Sequence, residues 1–405
     1  MNFLSILIIS STFFSNLENS SDYKNLLTYE PEVLIFQDFS LVGLTRVRFE
    51  RLSIKDSYIY EWLNPVYYRR YYSNKYEYDL SVSCKEVIYG YNYKDTKLYI
   101  NFGFQGIGKY YPINELLFTS LSFNLIPEFY KEDSWNKRFF GETQIGFGFG
   151  RMIPISPMDK AIKIQKELLE LGVITDSFPD EILKEIADII SQKANYNDPR
   201  DFWRELEWII ISSGLTEGEK LGAASTIRLN EIFITYIPWN WSFPERTRDI
   251  YDLRGSYFRS VYKNLLEGRE RGFEVEIYIG DRYRSNHSKS NNIFLGGRFD
   301  YSYPLSPKLQ ISFNSIGEFF TGDTLKWRKA NVKSELTYEV YRKLFTRFGF
   351  RYNGLNPYYL WVISHGFDYL IEYKMVLSTD FSLIYSADKN DFYGRFSLGL
   401  NYLFF

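Results

Sequence analysis

The chain has 405 residues, of which 20% are aromatic and 24% charged, with a formal net charge of −2. That balance gives no electrostatic footprint for nucleic acid. One cysteine excludes an intramolecular disulfide, a multi-Cys zinc centre and any CxxC redox motif.

Residues 3–14 form an apolar run without charges, the length of a secretory h-region and too short to span a bilayer. Residues 1–20 therefore read as a signal peptide. Residues 21–76 read as an N-terminal extension or as an extra strand pair around 41–53. From 77 to 151 the pattern becomes period two, with strands expected near 78–92, 96–106, 115–126 and 138–150. Leu98, Ile100, Phe102 and Phe104 share one face opposite Tyr99, Asn101, Gly103 and Gln105.

The period then changes to about 3.6 over 152–235, which predicts a helical insert. Ser156 is the expected cap of a first helix with Pro157 inside it and Gly172 after it. A second helix is expected from Pro179, with Ile182, Leu183, Ile186, Ile189 and Ile190 as its apolar stripe. A third follows Asp198-Pro199, buries Phe202, Leu206, Ile209 and Ile210, and stops at Gly214. Thr216 and Glu219 fit a capping box for a fourth. The insert is acidic, and the residues after it are basic, including Arg246, Arg248, Arg254, Arg259, Lys263, Arg269 and Arg271. The basic run can meet the acidic helices or lipid headgroups.

Residues 236–405 return to period two. Eight strands are expected, near 271–281, 291–303, 308–320, 328–340, 344–354, 365–377, 379–387 and 391–405. The connections alternate between longer ones (282–291, 321–327, 354–364, 386–389) and short ones (304–307, 341–343, 378). In the strand near 328–340, Ala330, Val332, Leu336, Tyr338 and Val340 oppose Asn331, Lys333, Glu335, Thr337 and Glu339. In the last strand, Phe392, Phe396, Leu398, Leu400, Tyr402 and Phe404 oppose Arg395, Ser397, Gly399 and Asn401. Greasy and ionic walls on strands this long suit lipid on one side and an enclosed polar axis on the other.

Ser397, Gly399, Tyr402 and Phe404 have the spacing of the closing strand of bacterial outer-membrane β-barrels, which the chain resembles. The resemblance implies an all-β transmembrane fold: an antiparallel up-and-down β-barrel, read here as about 12 strands within a range of 10–14. It also implies a cell outer membrane location, outer-membrane lipids as surroundings, and those four residues as the signal met by the assembly machinery.

Glu274, Glu276, Arg298, Asp300, Lys333, Glu335, Glu339, Arg347, Arg351, Asp368, Glu372, Lys374 and Arg395 are the candidate lumen-lining residues. They suit either a hydrated channel or a lumen filled by salt-bridged side chains. Pairing across the 341–343 turn should set Glu335 opposite Gly349. His287 and His365 are the only histidines, and Ser364 and His365 alternate across a strand, so they cannot form a nucleophile–base pair. No catalytic residue, metal site or cofactor is expected. The functions that fit are a pore with the insert as gate, plug or periplasmic docking domain for another protein, an envelope anchor without transport, and, least, a barrel hydrolase.

Overall fold

The computed structural model describes residues 21–50, 57–91, 97–113, 115–131, 135–216, 218, 220–234, 269–285, 292–321, 328–341, 344–355, 358–372, 375–387 and 390–404. The expected signal peptide, His287 and most of the basic run lie outside the described residues.

The wall has fourteen strands. In chain order they are β1 (Val33–Glu50), β2 (Ser57–Ser73), β3 (Tyr76–Tyr91), β4 (Lys97–Ile113), β5 (Leu117–Lys131), β6 (Trp135–Pro154), β7 (Glu270–Arg284), β8 (Asn292–Ser306), β9 (Leu309–Thr321), β10 (Arg328–Tyr341), β11 (Leu344–Leu355), β12 (Tyr358–Glu372), β13 (Met375–Ser386) and β14 (Asp391–Phe404). Each pairs antiparallel with its chain neighbours, and β1 pairs with β14, so the sheet closes on itself without an edge.

Period two decides which side faces what. On β7, Phe273, Val275, Ile277 and Ile279 are 41–65% exposed, while Glu274, Glu276 and Tyr278 between them are 3–4% exposed. The same inversion recurs on β10 and β14, where Leu336, Val340, Phe392 and Leu398 are exposed and Glu335, Glu339, Arg395 and Ser397 are buried. Apolar side chains outside and paired ions inside are the reverse of a water-soluble core. They fit a wall that crosses a membrane, because a closed barrel leaves no unpaired backbone in lipid. Among the described residues no helix is long and apolar enough to cross a membrane.

The pair β1–β2 brings the total to fourteen, the top of the expected range. One of the eight C-terminal strands sits differently from its expectation. The stretch near 365–377 is not one strand: β12 ends at Glu372 and β13 begins at Met375, with the short turn at 373–374 instead of at 378. Residues 358–364, expected as loop, belong to β12. The reason is parity. Phe367, Tyr369 and Ile371 before the turn and Met375, Phe381 and Leu383 after it are all exposed. The pairing shifts by one residue between Leu370 and Glu372, which leaves odd positions outside on both strands, so the alternation runs through unmarked.

Connections at one end of the barrel are two or three positions long, at 74–75, 114–116, 307–308, 342–343 and 373–374. The helices between β6 and β7 lie at this short-turn end. They are α2 (Ser156–Glu170), α3 (Asp180–Ser191), a 3-10 turn (Lys193–Asn195), α4 (Pro199–Ser212) and α5 (Ala223–Ile234), joined by α1 (Ser21–Thr28), which precedes β1. Leu26 and Tyr29 enter the same apolar core as Ile155, Ile164, Leu168, Leu183, Ile186 and Phe202.

Local signals mostly act as their chemistry dictates. Gly172 takes φ +66 after α2, and the amides of Gly172 and Val173 bond back to the carbonyls of Leu169 and Leu168, which closes the helix. Asp198 accepts from the Arg200 amide at 2.8 Å and caps α4. Two expected caps do not form. The residue before α2 is Ile155, and the Ser156 hydroxyl instead donates to the Arg269 carbonyl at 3.1 Å. The Thr216 hydroxyl donates to the Gly218 carbonyl, and α5 starts later, at Ala223. In both cases a nearby carbonyl takes the hydroxyl proton, a common competitor of helix capping.

Candidate functional site

A circular barrel of fourteen strands, about 4.8 Å apart and tilted by about 40°, has a backbone diameter of about 28 Å. One layer of inward side chains does not fill that width. What closes the interior here is a set of contacts that cross it, together with the helices lying over one end.

The crossing contacts start at the short-turn end. Arg70 on β2 is fully buried; its Nη1 donates to Glu270 on β7 at 2.8 Å and its Nη2 to Glu77 on β3 at 3.0 Å. Five strand spacings separate β2 from β7, about 24 Å along the wall. A single hydrogen bond spans that arc, so side chains occupy the interior here. Lys109 on β4 donates to Glu274 on β7 at 2.6 Å and lies 3.5 Å from Glu77, and the Tyr111 hydroxyl donates to Glu77 at 3.3 Å.

Arg151 completes this layer. It stands in register with outward Phe273, yet its guanidinium lies over the rings of Tyr72 and Tyr111 and donates to the carbonyls of Ser73 and Asn74. Gly150 and Gly272 make this possible, with φ +100 and +120. A Cβ on either would meet a facing carbonyl oxygen, that of Phe273 or of Arg151, at 2.2 and 2.1 Å. Only glycine tolerates that approach and that φ.

Toward the longer loops the same arc stays packed. Glu276 takes the Ser120 hydroxyl and the Arg298 guanidinium, and Arg298 Nε lies 3.2 Å from Asp300. Arg282 reaches Glu142 at 2.6 Å and Glu318 at 3.2 Å, across the ring of Phe294. On the opposite arc, Arg347 binds Asp368 at 2.5 Å and Asp380 at 3.3 Å. Lys333 lies 3.1 Å from Glu335, which stands in register with Gly349 as the turn dictates. Here the inward residues Ser312, Asn314, Asn331, Lys333, Arg351 and Asn353 are only half-buried.

The helices cover the short-turn mouth. α1 touches β8, while α3 and the 3-10 turn touch β1. β1 and β8 are seven places apart in a ring of fourteen, on opposite sides, so a body that reaches both lies across the opening. Ionic contacts hold it there. Arg269, at the foot of β7, is fully buried and bonds Asp159 of α2 at 3.0 Å, Gln310 at 3.0 Å and the carbonyls of Ser306, Pro307 and Leu309. Lys163, one turn after Asp159, links it at 3.0 Å to Glu339 of β10 at 3.3 Å. Arg271 donates to the Tyr29 carbonyl at 3.0 Å, and Tyr29 in turn donates to Asp188 at 3.1 Å. The expected contact between basic run and acidic helices thus exists at Arg269.

Burial pushes the Asp159 carboxyl up, but Lys163 and Arg269 outweigh it and hold it below the usual carboxylate range. Burial pulls the Lys163 ammonium down, and Asp159 and Glu339 more than reverse this. For Lys160, Asp159 compensates only in part: burial, then Lys193, pulls its ammonium down to about 8.

Of the candidate lining residues, Glu274, Glu276, Glu335, Glu339, Arg347, Asp368 and Arg395 are buried inward, and Arg298, Asp300, Lys333 and Arg351 are half-buried. Ser397 and Gly399 are buried too. The side chains of Glu372, Tyr402 and Phe404 lie outside the described residues. Lys374 lies outside the described residues as well. His365 is exposed on the outer row, 2.9 Å from the Thr346 hydroxyl and edge-on to Phe367, while Ser364 is half-buried on the other face. No group of three or more His, Cys, Asp or Glu side chains among the described residues could hold a metal ion.

Sequence reading missed Arg70, Glu77, Lys109 and Glu270, and it did not single out Asp159 as the acid that Arg269 meets. In Tyr67-Tyr68-Arg69-Arg70-Tyr71-Tyr72 each residue type occurs on both faces, so period two is silent there. Asp159 reads as a first-turn acid; its partner is 110 positions away.

No protein family and no curated protein matches the chain. Among solved structures it is similar to a KdgM porin in complex with disordered oligogalacturonate, at 5% identity over 90% of this chain and 100% of that one, with a TM-score of 0.29. It is also similar to the outer membrane channel DcaP of Acinetobacter baumannii (6%, 91% and 97%, 0.37) and to CdiB from Acinetobacter baumannii (10%, 91% and 60%, 0.39). At these values the assignment of the fold rests on the chain's own closed sheet.

Proposed function

We propose that this protein is an outer-membrane channel held shut at its periplasmic end, with the helical cap as gate. Barrels of this kind have short turns on the periplasmic side, which puts the cap, the start of β1 and the end of β14 there. The closing strand, with Ser397 and Gly399 on the inner row, is then the segment met by the assembly machinery.

The observation that carries the reading is the chemistry of the seal. Arg70–Glu270, Lys109–Glu274 and Arg269–Asp159 are ion pairs, not an apolar plug. Opening an apolar plug exposes greasy surface at about 25 cal/mol per Å². Separating buried ions instead trades protein partners for water, near break-even. A polar seal is therefore one that water can replace.

An anchor without transport is the second reading, favoured by how completely Arg70 and Glu274 are buried. Planar-bilayer recordings of the full chain separate them. The gate reading expects rare openings in the native chain and a large rise in open probability in the Glu270→Gln, Glu274→Gln double variant. Silence from both, with folding retained, makes the barrel an anchor.

A further inference from the structure

The half of the lumen that stays accessible carries its own recognition pattern. Asp300, Asn314, Lys333 and Arg351 stand opposite one another across β8, β9, β10 and β11, forming one inward row. Asn331 and Asn353 pair in the next row toward the loops. Lys333 keeps 19% of its side chain exposed and Arg351 is half-buried, whereas Arg70, Lys109, Arg282 and Arg347 keep 8% or less.

From this we infer a binding site for carboxylate-bearing solutes at Lys333 and Arg351, open to the loop side. Two cations directly opposite on neighbouring strands repel each other. Glu335, two residues along β10 from Lys333 and diagonal to Arg351, sits against Lys333. A solute carboxylate between the two cations offsets that repulsion and suits the planar fork of a guanidinium, which binds carboxylates through two parallel hydrogen bonds. The flanking amides of Asn331 and Asn353, both half-buried, extend the surface. Lys333 is the sixth residue from the loop end of β10, which sets it about 12 Å below that rim for a tilted strand.

The site rests on the channel reading for its purpose but not for its test. Calorimetry on the full chain folded in detergent, with succinate as probe and putrescine as the cation of matching length, needs no conduction. Succinate should bind, putrescine should not, and the Lys333→Gln, Arg351→Gln double variant should bind succinate at least tenfold more weakly. Should the double variant fail to fold, Arg351→Lys must still weaken binding, since it keeps the charge and loses the fork. Undetectable succinate binding, equal binding of putrescine, or affinity unchanged in the variants overturns the site, whether or not the barrel conducts. A barrel that binds succinate but never conducts keeps the site and removes the channel.

Discussion

Arg269→Ala is the sharpest perturbation of the cap. The guanidinium makes five hydrogen bonds, at 3.0 Å to Gln310, 3.0 Å to Asp159, 2.7 Å to Pro307, 2.6 Å to Ser306 and 3.1 Å to Leu309. Alanine removes all five donors at a site with no exposed surface. Asp159 keeps only Lys163, and three carbonyls lose a buried partner. Breaking one side of a buried ion pair costs about 3–5 kcal/mol. At about 1.4 kcal/mol per factor of ten, cap docking weakens by roughly a hundred- to several-thousand-fold. Away from the β8–β9 turn the wall keeps its contacts, since its strand pairing is backbone. Hydrogen exchange should therefore rise across α1 and α2 but not in β7–β14, and open probability in bilayers should rise with it. Arg269→Lys should recover little, because a point charge cannot reach acceptors fanned around a planar fork. Unchanged exchange in α2 together with unchanged conductance, in a variant that still shows heat-modifiable migration, refutes the clamp.

Ile277→Arg tests the membrane assignment: at the centre of β7 and 65% exposed, it should cost about 2–4 kcal/mol for folding into lipid vesicles, whereas a water-facing site would show almost no change in urea titrations. Gly150→Ala and Gly272→Ala should each destabilise the barrel by about 1–3 kcal/mol or more through positive φ and the carbonyl contacts, measured by the same titrations; two neutral results would mean the bend at β6–β7 relaxes freely. Lys160 has a folded-state value near 8 and an unfolded one near 10.4. The folded cap therefore sheds that proton first, and its stability should rise between about pH 8 and 10.5 by on the order of 1–3 kcal/mol. Lys160→Met should stabilise the cap at pH 7 and flatten that rise, read from the exchange of α2 across pH; an unchanged slope removes Lys160 as its source.

Much of the wall was legible because its rule is local. Successive side chains point to opposite faces whatever the partner strand, so Leu336 and Glu335, or Phe392 and Arg395, disclose their sides from the sequence alone. The 3.6 period did the same for Phe202, Leu206, Ile209 and Ile210. The rule failed where it carries no phase: in the doubled residues of 67–72, and between β12 and β13, where a register shift at Leu370–Glu372 preserves parity.

The sequence by itself thus determined a two-faced strand protein with helices set between two groups of strands, since period and spacing act over a few residues. Only the tertiary structure decided that β1 closes on β14 and that Arg70 meets Glu270 across the lumen. It alone set the helices over one mouth, with Asp159 held by Arg269 and Lys163. Those contacts reach from Arg70 to Glu270, 200 positions on, and across the closure from Leu41 to Phe404, and an ionic side chain on a strand is equally suited to water, to a neighbour or to the far wall. Which of these it meets depends on where chain closure places the other charges.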